Sequence, residues 1–254
     1  MSEGVSKLRP VFKLSGDSLH TWWKHLPKFL MLYVWGILHI AVPTFIFFGL
    51  FLGLRSLRWG SMLPITTGVM VLNLVMIFLA FWAVLFIIYY MTRLVIAFFL
   101  LIKNNYKGDE LKIFQESRKY FWSYLFLKII LAIIIFLLFL ALVVPGIIFL
   151  VFYSLAIYVF FFENKRGMSA IKRSKRLVKN HWWAVAGRLL FAVVAFELFA
   201  SIVLIPLHWM HLGSSMMIIW NIIARLAIYV VIPALMIFIY NLYKNLAKVY
   251  KPAK

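Results

Sequence analysis

Glu197 and Arg225 are the residues whose type and setting could do chemistry inside a membrane, an acid and a base each set well within a long apolar run. Each stands roughly 10 residues from the outer end of its run, so at 1.5 Å rise per residue their depths match within about 5 Å. A lone charge in hydrocarbon is costly, and the two are therefore expected to pair. Such a pair serves either as a structural link between two spans or as a substrate or proton site. Asn73 and Asn221 are placed to hydrogen-bond between helices, mainly as packing contacts. His208 and His211 are three positions apart but lack a third ligand, so they read as interfacial residues and not as a metal site. Glu163 is followed by basic residues that can donate to its carboxylate.

The sequence has seven acidic residues, and only Glu197 stands well inside an apolar run, which leaves little material for a paired-carboxylate or metal-hydrolase centre. No glycine-rich phosphate loop occurs. With no cysteine there is no disulfide, thiolate metal site or cysteine nucleophile. The expectation is a non-enzymatic protein with no catalytic residues, metal or cofactor.

The elements that carry these residues follow from composition. Of 254 residues, 65% are hydrophobic and 19% aromatic, and the mean hydropathy is +0.99. No soluble domain of this size could hide so much apolar surface. The apolar runs are long enough for helices to cross roughly 30 Å of hydrocarbon, and they lack the alternation of barrel strands. The expected class is all-α, a polytopic membrane protein of six transmembrane helices forming a single membrane domain over residues 1–254. The spans fall at about 29–54, 69–102, 124–144, 147–162, 182–205 and 216–240. Pro43 should kink the first. Arg93 divides the second, so that helix either projects beyond the bilayer or tilts while the arginine snorkels. Pro145 and Gly146 are all that connects spans three and four, which demands an antiparallel hairpin.

Charge sets the orientation. The N-terminal segment carries five Lys or Arg residues, the 103–119 loop five, the 165–179 loop seven and the C-terminus four, while the other loops hold only Arg55 and Arg58. The positive-inside rule puts both termini and both basic loops in the cytoplasm. The first 28 residues are basic and only moderately apolar, unlike a cleavable signal peptide. The net charge of +20 lies in short loops between spans, so the partner is the anionic headgroup surface of membrane lipids, together with other membrane proteins, and not nucleic acid. Lys165, Arg166, Lys172, Arg173, Lys175, Arg176 and Lys179 form the principal basic patch.

An internal similarity organises the chain. Ser117-Arg118-Lys119 matches Ser174-Lys175-Arg176; Lys107-Gly108 and Arg166-Gly167 precede them, Trp122 and Trp182 follow, and Ser18 with Trp22 is a weaker copy. The unit is a short amphipathic interfacial helix followed by two spans, used three times, as three hairpins over about 15–102, 107–162 and 166–243. In the third copy Met168, Ile171 and Val178 form an apolar stripe among basic residues, the pattern of a helix in the headgroup region.

The run from Val144 to Leu190 resembles the membrane-domain family found fused to some glycerophosphoryl diester phosphodiesterases and as stand-alone six-span bacterial proteins. The similar positions are Pro145, Gly146, Glu163, Gly167, Ala170, Ser174, Leu177 and Trp182. The resemblance implies a multi-pass protein of the bacterial plasma (inner) membrane. The phosphodiesterase activity of the fused members lies in a separate soluble domain, for which this mostly membrane sequence has no room. Two functions follow as expectations: a non-catalytic protein that organises or regulates envelope components, or a carrier for a lipid or other amphiphile with Glu197 and Arg225 in its path.

Overall fold

The computed structural model describes residues 8–56, 65–209 and 214–249. Among the described residues the regular elements are eight helices: α1 (Val11–Ser56), α2 (Ile65–Lys103), α3 (Glu110–Ala141), α4 (Val143–Tyr153), α5 (Ala156–Glu163), α6 (Met168–Lys179), α7 (Trp182–Trp209) and α8 (Ser214–Val249). Among the described residues, six segments are long and apolar enough to cross a membrane: Val11–Phe45, Asn73–Lys103, Glu110–Leu140, Val143–Glu163, Trp182–Ile205 and Met216–Val249. Large apolar side chains such as Phe78, Leu85, Phe136, Val194 and Ile222 are exposed along them. That is the surface of a multi-pass membrane protein, in which helices satisfy their own backbone groups and apolar side chains meet lipid.

Local chemistry explains the breaks. α2 ends in a Schellman-type turn, with Tyr106 N–H donating to Leu101 O at 2.8 Å and Asn105 N–H to Ile102 O at 3.1 Å. Asn105 takes the left-handed conformation there, with φ 51°. Asp109 then caps α3, its Oδ1 accepting from Leu111 N–H at 3.0 Å. α5 ends on left-handed Asn164, and α6 begins after Gly167, whose φ of 51° and ψ of −132° suit glycine and few other residues.

Three expectations are corrected. First, the leading helix before span one and that before span three are not separate elements; α1 and α3 run through without interruption, and only α6 stands apart from the span that follows it. Second, spans three and four part at Leu142, which is extended at φ −162° and ψ 136°, and not at Pro145-Gly146. Those two residues lie in the first turn of α4, where a proline has no intrahelical N–H bond to lose. Third, the fourth span is broken: α4 stops at Tyr153, Leu155 sits at φ −95° and ψ 1°, and α5 resumes at Ala156. Span five also continues past Pro206 to Trp209.

Gly146 is required by packing. A Cβ there would lie 2.7 Å from Cγ of Phe139 on α3. Gly146→Ala must therefore push the whole ring, and it is expected to cost about 1–2 kcal/mol. Thermal unfolding in detergent checks this, and recovery by the additional Phe139→Leu substitution is the expected companion result.

The chain forms two compact units. One comprises Met1–Phe29 and Trp122–Lys254, the other Leu30–Phe121. In the second, Gly36 on α1 packs against Leu94 on α2, and Tyr33 meets Phe98 edge-on at 5.0 Å. In the first, α5 is fastened to α8: buried Tyr158 donates its hydroxyl proton to Met236 O at 3.0 Å, and Phe162 stacks on Tyr240 at 4.4 Å.

Candidate functional site

The amphipathic helix α6 is the centre of the first unit. Ala170, Ile171, Ser174, Leu177 and Val178 are buried and the helix packs against α4, α5, α7 and α8. Protein thus fills the apolar side that the sequence assigned to a stripe through Met168, and Met168 itself is exposed. The spacing of these residues, three or four apart, puts them on one side and the basic residues on the other.

Glu163 closes the turn between α5 and α6. Arg173 Nε donates to both carboxylate oxygens, at 3.1 and 3.0 Å. Lys165 Nζ lies 3.1 Å from Oε2, and Tyr243 on α8 donates its hydroxyl proton to Oε1 at 3.2 Å. One carboxylate at the end of α5 therefore ties together α5, α6 and α8, which assigns it to basic neighbours, with Arg173 ten positions on rather than adjacent.

Lys172, Lys175, Arg176 and Lys179 line one open concavity of about 500 Å³. Lys175 Nζ also stands 5.0 Å from the ring centre of Phe149 and 5.8 Å from that of Phe152, an ammonium resting on two aromatic faces of α4. Arg166 is exposed at the start of the turn. Trp182 Nε1 donates to Ile148 O at 3.2 Å, and Trp183, 84% exposed, meets Trp182 edge-on at 4.6 Å. Four basic residues around one open concavity, with an amphipathic aromatic pair just after the helix at the start of α7, suit an anionic headgroup surface.

The three serines singled out by internal similarity are all buried, and each makes a bond to a distant helix. Asn241 on α8 donates Nδ2–H to Ser18 Oγ at 2.9 Å. Arg93 on α2 donates Nε–H to Ser117 Oγ at 3.1 Å. Ser174 donates to Phe152 O at 2.7 Å, a carbonyl at the end of broken α4. Trp22 likewise donates Nε1–H to Val230 O at 3.1 Å, in the turn before Pro233 of α8.

Arg93 was legible only as a charge interrupting a span. Its side chain is enclosed by protein, 7% exposed. Besides Ser117 it donates from Nη2 to Phe114 O at 2.8 Å, and its guanidinium faces the rings of Phe114, Tyr90 and Tyr89 at 4.6, 5.4 and 5.5 Å. The tyrosine pair one turn earlier on α2 was the signal that could have found it. His39 joins the same cluster, 4.9 Å from Phe114 ring to ring.

Among the described residues no ion pair joins Glu197 to Arg225, so the expected bridge is corrected. Arg225 Nε donates instead to Asn221 Oδ1, one turn back on α8, at 2.6 Å. Glu197 and Arg225 are both exposed. Asn73 is exposed on α2. His211 and the side chain of His208 fall outside the described residues. Comparison with protein-family models, with curated proteins and with solved structures finds no match.

Proposed function

We propose that this is a non-catalytic, multi-pass plasma-membrane protein that organises anionic lipid and other envelope components through the basic side of α6. Both termini face the cytoplasm in this reading, as the distribution of Lys and Arg requires. The observation that carries it is the concavity lined by Lys172, Lys175, Arg176 and Lys179, on a helix whose opposite side is filled by protein. A helix fixed in that way presents its cations outward in one orientation, each contributing about 1 kcal/mol of attraction to an anionic surface. The buried bonds of Ser18, Ser117 and Ser174 to α8, α2 and α4 support a threefold repeat in which each leading helix holds a different even-numbered span. The likeness around Pro145, Glu163, Gly167 and Ser174 to the phosphodiesterase-associated membrane domains belongs to the same proposal. A carrier path through Glu197 and Arg225 is less well supported, because both side chains stand on the outside of their helices.

The test is reconstitution in vesicles of phosphatidylcholine with a minority of self-quenching phosphatidylglycerol. The protein is expected to cluster the anionic lipid, and the variant with Lys172, Lys175, Arg176 and Lys179 all changed to Gln to lose most of that clustering. Equal clustering by the two folded proteins overturns the reading.

A further inference from the structure

We infer that α7 and α8 form the interface of a two-fold symmetric homodimer, held by two reciprocal ion pairs between Glu197 of each copy and Arg225 of the other. The two helices pack together, and two contacts fix their relative level: Trp220 Nε1 donates to Val203 O at 3.1 Å, and the Phe191 and Phe238 rings lie 6.4 Å apart. Later residues of α7 thus meet earlier residues of α8, so the helices are antiparallel. Glu197 lies midway between Phe191 and Val203, which puts it beside the turn of α8 that follows Arg225, a depth difference of about 5 Å. The acid and the base therefore share a level in the membrane. Yet they do not bond to each other: Arg225 uses Nε on Asn221 and leaves its two terminal nitrogens for another acceptor.

Around them the exposed surface is apolar, with Val193, Val194 and Leu198 on α7 and Ile222, Leu226 and Tyr229 on α8. Lipid offers neither charge a partner, and charged groups at this depth are found paired. A second copy related by an axis along the membrane normal keeps every residue at its own depth. It brings an arginine to each glutamate and a glutamate to each arginine, so the surface is self-complementary in charge and level. Exposed Ser201, one turn beyond Glu197, is small enough to let the helices approach closely.

Charge exchange between copies tests this. The sequence has no cysteine, so one introduced at the C-terminus carries donor or acceptor dyes for energy transfer in vesicles at fixed lipid-to-protein ratio. Glu197→Arg alone and Arg225→Glu alone are each expected to self-associate at least about tenfold more weakly than wild type. Mixed together they are expected to recover, because one copy then carries two arginines and the other two glutamates at the facing positions. A bridge within one chain cannot give that rescue. A monomeric wild type, unchanged self-association of the single variants, or a mixture no better than its components overturns the dimer. If either charge reversal fails to fold, Glu197→Gln and Arg225→Gln decide: weakened association is expected, and wild-type association overturns the proposal.

Discussion

Arg93→Ala is expected to destabilise the detergent-solubilised protein by about 3 kcal/mol, the largest loss from any single truncation in the unit Leu30–Phe121. The buried guanidinium donates to Ser117 Oγ and Phe114 O, tying α2 to α3, and it lies against three aromatic rings. Hydrogen bonds from a charged donor contribute about 1.5–3 kcal/mol, a desolvated cation–π contact about 2 kcal/mol, and the desolvation of the charge offsets part of the sum. For a chain of this size the loss corresponds to a fall of roughly 6–12 °C in the unfolding midpoint. Arg93→Lys keeps the charge but not the planar fork and should recover less than half of the loss. Arg93→Met separates the terms, since it fills the space without charge. A Met variant more stable than wild type would show that burying the guanidinium costs more than its bonds return.

Ser174→Ala is the second large effect, at about 2 kcal/mol, or roughly 4–8 °C in the midpoint. The break between α4 and α5 leaves carbonyls without intrahelical donors, and the Ser174 hydroxyl supplies one to Phe152 O from a wholly buried position. Where water is excluded, an orphaned carbonyl carries its full desolvation cost. Ser169→Ala is the control, because Ser169 is exposed and its hydroxyl reaches only Arg166 O in its own turn; a change within 0.5 kcal/mol is expected there. Equal midpoints for Ser174→Ala and Ser169→Ala would show that α6 is not what completes the broken span. Cys-scanning of Phe152 for water access gives a second readout, with greater labelling expected in the Ala variant.

The two residues illustrate why the internal similarity was readable and its meaning was not. Ser117 and Ser174 could be aligned from the basic residues beside them and the glycines before them. Their acceptors and donors could not, because Arg93 and Phe152 share no residue type and are separated from the serines by 24 and 22 positions. The same holds at Glu163, whose basic neighbours were evident; that Arg173 and not Arg166 donates to it depends on the turn through Asn164 and Gly167 folding α6 back along α5.

By itself the sequence determined the all-helical membrane class, six helices apolar and long enough to cross a bilayer and the positions of the basic segments, because these depend on local composition and on the bilayer as solvent. It also singled out Ser18, Ser117 and Ser174, all of which are buried. Tertiary structure alone decided the rest. It joined the leading helices of α1 and α3 to their spans, moved the turn between spans three and four to Leu142, broke the fourth span and covered the apolar side of α6 with protein. It buried Arg93 among aromatic rings and left Glu197 and Arg225 outside without a bond to each other. Hydrophobicity tells a side chain to leave water, but whether it then meets lipid or protein depends on which helices pack together, and in an apolar solvent that choice rests on hydrogen bonds and close packing between distant residues.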